Sequence, residues 1–174
     1  MRLGAAVGLI GVGLLLAGCG SGAVSGTPDP EGRAAGEPVF SPCDDIPDDA
    51  LREMGLDPTT ESPDIMGVKQ PGWKICKWQG AEPALSVFST TYTMEDVRSN
   101  KKNIEFNPVE FDGRAGLIYR ETTDTKRRSC DVALAASGGA ALISVSYLGT
   151  DPVAEDPCAV AKRRTEGIVQ YIPE

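Results

Sequence analysis

The sequence predicts an α+β domain, a mostly antiparallel sheet with helices packed on it. Two patterns carry this expectation. Runs rich in apolar and β-branched residues come in neighbouring pairs split by short turns, and short capped amphipathic segments interrupt them. A first helix is expected from about Pro47 to Met54, with Leu51 and Met54 on one face and Gly55 as the stop. Trp73–Gln79 and Ala84–Tyr92 read as strands joined by a turn at Gly80–Pro83, with Leu85, Val87 and Ser89 alternating inward. Thr93-Met94-Glu95-Asp96 has the spacing of a capping box and opens a short helix to about Asn103 that carries Val97. Pro108–Phe111 and Arg114–Glu121 form a hairpin, because Asp112-Gly113 supplies the positive φ of a primed turn. Ser129–Ala136 and Ala140–Leu148 flank Ser137-Gly138-Gly139, and pairing Ala136 with Ala141 sets Cys130 opposite Tyr147. The last helix starts at Asp156-Pro157-Cys158, with Asp as N-cap and Pro in the first position. It sets Cys158, Ala161, Thr165, Ile168 and Ile172 along one stripe. Ala133–Ala136 and Ala140–Val145 are apolar on both faces, which predicts helices on two sides or a partly buried sheet.

The chain begins with Met1-Arg2 and an apolar, Gly-rich stretch from Leu3 to Ala17, a composition that fits a secretory signal peptide and is too short to span a bilayer comfortably. Leu16-Ala17-Gly18-Cys19 resembles the lipobox of bacterial lipoproteins. That resemblance implies cleavage after Gly18 and a diacylglyceryl group on the thiol of Cys19. The expected organisation is a lipoprotein signal peptide at 1–18, the lipidated Cys19 with a flexible Gly/Ser/Pro tether at 19–40, and one globular exported domain at 41–174. Two acyl chains anchor stably where one is marginal, so the expected place is the outer face of the plasma membrane.

With Cys19 assigned to lipid, Cys43, Cys76, Cys130 and Cys158 remain. An even number in an oxidising compartment reads as two disulfides, with three possible connectivities; no C-x-x-C pair favours zinc or thiol redox chemistry. Cys130 lies at the end of a strand close to the start of the Cys158 helix, which pairs those two and leaves Cys43 with Cys76.

Composition excludes whole classes of activity. The chain has no histidine, so neither a Ser-His-Asp nor a Cys-His centre can form, and no imidazole can hold a metal. A formal charge of −8 and 6% aromatic residues argue against nucleic acid as a partner. Asp44-Asp45, Asp48-Asp49 and the acids of Asp151–Asp156 sit at helix starts, where capping and the helix dipole account for them, and no calcium-loop spacing occurs. Ser137 and Ser89-Thr90-Thr91 have no activating base in their sequence context. No catalytic residue, metal or cofactor is therefore expected.

Contact residues can still be named. Lys126-Arg127-Arg128 and Lys162-Arg163-Arg164 are expected near the Cys130 and Cys158 junction as one positive patch, suited to an anionic headgroup, an acidic partner or a cell-wall polymer. The competing expectation is two solvated faces. Trp73, after Pro71-Gly72, is expected at a mouth or edge, and Trp78 in the core. The leading functional expectation is a non-catalytic interaction module holding an envelope protein, lipid or polymer. The alternative is a carrier or sensor with an apolar chamber lined by Leu85, Val87, Ile143 and Ile168. An enzyme built on acids alone would need two facing carboxylates.

The landmarks together resemble one family. Pro42-Cys43, Met54-Gly55-Leu56, Cys76-Lys77-Trp78, Phe111-Asp112-Gly113-Arg114-Ala115, Cys130-Asp131-Val132 and Asp156-Pro157-Cys158 are similar to those of small actinobacterial envelope lipoproteins defined by a domain of unknown function. The resemblance implies a lipid-anchored protein and a fold related to α/β sandwiches of the Mog1/PsbP type, and it brings no catalytic residues. Pro47 stands where that family usually carries a helix-capping hydroxyl residue.

Overall fold

The computed structural model describes residues 36–80 and 83–174. The expected signal peptide, the lipobox Leu16-Ala17-Gly18 with Cys19, and the tether as far as residue 35 lie outside the described residues.

Among the described residues the elements are α1 (Pro42–Asp45), α2 (Asp48–Glu53), β1 (Leu56–Pro63), β2 (Trp73–Gly80), β3 (Ala84–Thr90), α3 (Met94–Ser99), β4 (Asn103–Phe111), β5 (Arg114–Glu121), β6 (Ser129–Ala136), β7 (Gly139–Ser146) and α4 (Pro157–Ile168), with a 3-10 turn at Val169–Tyr171. The seven strands form one sheet in the order β1-β2-β3-β7-β6-β5-β4. Every neighbouring pair is antiparallel, so two meanders meet where β3 pairs with β7. The fold is thus α+β as expected.

The sheet is covered on two sides. On one face Val87, Ile143, Val132 and Ile118 lie in register across four strands. Phe40, Ile46, Leu51, Val160, Ala161 and Ile168 pack on that face in the main core. On the other face Val97 of α3 packs with Leu117, Tyr119 and Ala133 in a smaller core. A fully buried aliphatic side chain contributes about 1.5–3 kcal/mol, so the larger core dominates stability. Two disulfides fasten cover to sheet: Cys43–Cys76 joins α1 to β2 with a Cα–Cα distance of 5.3 Å, and Cys130–Cys158 joins β6 to α4 at 4.9 Å. This is the expected pairing.

Several boundaries differ from expectation. The first helix is split: α1 is a single turn with Pro42 in its first position, and α2 begins only at Asp48 with Pro47 as its N-cap. Proline fits both places, since neither needs its missing N–H. Strand β1 is a finding beyond the sequence reading: in Leu56-Asp57-Pro58-Thr59-Thr60-Glu61-Ser62-Pro63 the one large apolar residue, and in the fold the only buried one, is Leu56, and the segment carries two prolines. As an edge strand with a register irregularity between Asp57 and Ser62 it tolerates both. Helix α3 ends at Ser99, and the chain turns directly into β4, with the side-chain amide of Asn103 donating to the Val97 carbonyl at 2.9 Å. Its capping box is present, the Thr93 hydroxyl accepting from Asp96 N–H and the Asp96 carboxylate from Thr93 N–H.

The β6–β7 hairpin is tighter than expected, with Ala136 opposite Gly139 and Cys130 opposite Val145. The offset is two residues, so every side chain keeps its face and Cys130 still meets Cys158. Gly139 is required there, since a Cβ would lie 2.0 Å from the Thr90 carbonyl oxygen of the neighbouring strand. Replacing Cys130 and Cys158 together by Ala is expected to lower the unfolding free energy by about 3 kcal/mol, the loop-closure value for a bridge of this span. Denaturant unfolding reads it, and an unchanged midpoint would refute the bridge's contribution.

Candidate functional site

Arg127 and Lys162 line one cleft of about 260 Å³ between β5 and the start of α4, so the two basic clusters do converge. The same cleft holds Glu105, Arg120 and Asp156. The Arg127 guanidinium donates to both carboxylate oxygens of Glu105 at 2.9 Å, which holds the Glu105 carboxyl below its ordinary range and raises the guanidinium. Arg163 makes the same forked contact with Glu155 at 2.8 and 2.9 Å. Arg128 donates to the carbonyls of Tyr147, Leu148 and Asp151 and so shapes the loop after β7. Arg164 is buried and donates to the Pro83 carbonyl. Lys126 and Lys162 are exposed. The cleft is thus of mixed charge, and four of the six basic side chains bridge parts of the fold.

Glu105 and Arg120 in this cleft, and Asp124 beside it, are charged residues that the sequence reading does not single out. Arg120 is buried and donates to the Ser129 carbonyl at 2.6 Å and to the Asp156 carboxylate at 3.3 Å, tying β5 to β6 and to the cap of α4. Asp124 accepts from the backbone N–H groups of Arg128 and Ser129 and from the Ser129 hydroxyl. Burial alone would raise its carboxyl, but these bonds outweigh it and hold it below the usual range.

The second cleft contains Trp73. It has a volume of about 430 Å³ and runs along the face that α3 covers only in part. Trp73 is half-buried at the start of β2, with its ring 5.6 Å from Tyr92 and in edge contact with Phe88 at 6.3 Å. Leu142 and Tyr119 also line the cleft, and the carboxamides of Asn100 and Asn103 and the carboxylates of Asp96 and Glu121 supply its polar groups. Trp78, on the opposite face of the same strand, is fully buried in the main core, and its indole N–H has no hydrogen-bond partner among the described residues. Leu85, Val87, Ile143 and Ile168, the side chains a carrier chamber would need, are each fully enclosed members of that core. Glu61 lies near the sulfurs of Cys43 and Cys76, but disulfide-bonded sulfur does not serve as a thiolate metal ligand.

Beneath α3 the sheet also buries a carboxyl. Asp131 pairs across β6 with Tyr119 on one side and Ser144 on the other. Burial pushes its carboxyl up to about 6, against a hydrogen bond from Ser144 that lowers it. The Tyr119 phenol is raised far above its ordinary range by burial and by the carboxylates of Asp131 and Glu121. The signal in the sequence is an acid flanked by Cys130 and Val132 within a strand, which simple apolar–polar alternation does not distinguish from an outward-facing residue. Because the folded carboxyl titrates above the unfolded one, its neutral form favours folding. Stability from this site is full below about pH 4 and is lost as pH rises through about 6. Asp131→Asn is expected to stabilise the domain at pH 8 by up to about 3 kcal/mol, with the gain vanishing near pH 4. Melting temperatures of both proteins across that range test this, and a pH-independent difference would refute it.

No helix among the described residues is long and apolar enough to cross a membrane. No curated protein and no solved structure matches the chain. A family model described as "Protein of unknown function (DUF3558)" matches residues 14–171. That range takes in the whole sheet, both disulfides and both clefts. The chain therefore belongs to the DUF3558 family.

Proposed function

We propose that this DUF3558 protein is a non-catalytic binding module, held at the outer face of the plasma membrane by lipid on Cys19. It takes an envelope component of saccharide character in the cleft at Trp73. The observation that carries this reading is the half-buried Trp73 and Tyr92 pair beside the side chains of Asn100, Asn103 and Glu121. Sugar rings present C–H faces that pack on aromatic rings, and their hydroxyls pair with carboxamides and carboxylates. Such a cleft binds by a few placed polar groups around an apolar floor. Four cysteines paired as two disulfides fit an oxidising, extracytoplasmic setting. The mixed charge of the Arg127 cleft makes it the weaker ligand site.

Two measurements test the reading. Trp73→Ala is expected to lower retention on immobilised cell-wall polysaccharide at least tenfold, while the melting temperature stays within a few degrees of the parent; equal retention would sink the cleft assignment. Cys19→Ala is expected to move the protein from the membrane fraction to the medium, and a variant that stays membrane-bound would count against the anchor.

A further inference from the structure

We propose that the tip of the β1–β2 hairpin, Ile65-Met66-Gly67-Val68, inserts into the lipid interface beside the anchored N-terminus. The tip is a two-residue turn: Ile65 and Val68 pair across it, and Val68 N–H donates to the Ile65 carbonyl at 3.0 Å. Both central residues have positive φ, 54° at Met66 and 75° at Gly67. A turn of this kind normally takes Asn, Asp or Gly at its first central position. Methionine has a Cβ that disfavours the left-handed region and no polar group to hydrogen-bond locally. It nevertheless stands there 95% exposed, with Ile65 at 54% and Val68 at 59%. The fold therefore holds an unbranched apolar side chain in a disfavoured backbone conformation without burying it in the domain. Strain without internal compensation points to a contact outside the domain.

The position of the tip identifies the contact as a bilayer; this step rests on the anchor reading above. Glu37, near the first described residue, borders the same cleft as Asp64, Lys69 and Lys74. The Lys74 ammonium donates to the Val39 carbonyl at 3.5 Å, and Val39 is itself 61% exposed. The chain from Cys19 thus enters the domain next to the tip. Sixteen residues lie between Cys19 and Gly36, and even fully extended this stretch reaches no more than about 60 Å. Lys69 and Lys74 suit anionic headgroups, while Asp64 and Glu37 offset part of that charge. The apolar trio therefore supplies most of the attraction.

The test uses the lipidated full chain in vesicles of phosphatidylcholine and phosphatidylglycerol, with and without brominated acyl chains. Met66→Trp adds a reporter at the tip, and Val153→Trp adds one in the loop at the far end of the sheet; emission of the parent is subtracted from both. Expected is an at least twofold loss of the added emission in brominated vesicles for Met66→Trp, with a blue shift, and no loss for Val153→Trp. Val68→Trp repeats the measurement should Met66→Trp fold poorly. Equal emission in both vesicle types overturns the inference. So does a blue shift that appears only when native envelope proteins are present, which would assign the tip to a protein partner. Mass spectrometry of Cys19 separates the two readings. Absence of the diacylglyceryl mass defeats the anchor alone, and the tip is then judged by quenching of the unlipidated chain with the same vesicles.

Discussion

Strands β5 and β6 each carry a run of consecutive buried residues, so both faces of the sheet's centre must be kept from water. The two covers are unequal. One face receives α1, α2, α4 and Phe40, and it holds the main core. The other receives α3, whose six residues amount to about 9 Å of helix. A seven-stranded sheet is about 30 Å across in the direction of its hydrogen bonds. So short a helix shields only the rows at Leu117, Tyr119 and Ala133. Trp73, Tyr92 and Leu142 line the margin it leaves. The aromatic cleft is therefore a direct product of how little helix the connection from β3 to β4 provides.

Arginine does much of the joining that a larger core would otherwise do. Arg114, the first residue of β5, donates to the carbonyls of Val169 and Ile172 after α4 and to that of Ala135 on β6. Carbonyls at the end of a helix lack intrahelical donors, and a guanidinium with five N–H groups can serve several at once. Arg120 and Arg128 act in the same way at the other end of the sheet. Runs such as Lys126-Arg127-Arg128 consequently look more electropositive in sequence than they are in space, because their acceptors come from distant segments.

The sequence was most legible where local chemistry decides structure. The Asp-Gly turn, the Thr93 capping box and the Asp156-Pro157 helix start were each recognisable, and so were the disulfide pairs, since they need only correct faces and ends. Strand β1 was not legible: its pairing is dictated by β2, and apart from Thr59 and Thr60 its residues carry no β preference. The hairpin register missed by two because the close approach of Gly139 to Thr90 is a tertiary fact. Trp73 is half-buried at the start of β2, and the residues that share its cleft, Tyr92 and Tyr119, come from the segment after β3 and from β5. Sequence spacing could not unite them.

Cys43–Cys76 also determines how the domain carries a pull. Tension applied through the chain ahead of Pro42 reaches Cys43 and crosses the disulfide into Cys76. The segment between the two cysteines, with α2, β1 and the hairpin tip, is bypassed by the load. The force enters the sheet on β2, the strand that also bears Trp73. The segment ahead of Pro42 and the aromatic cleft are thus joined by one covalent bridge and a few residues of a single strand. A load applied between the chain ahead of Pro42 and Trp73 would leave the β3–β7 seam and the rest of the sheet largely unstressed.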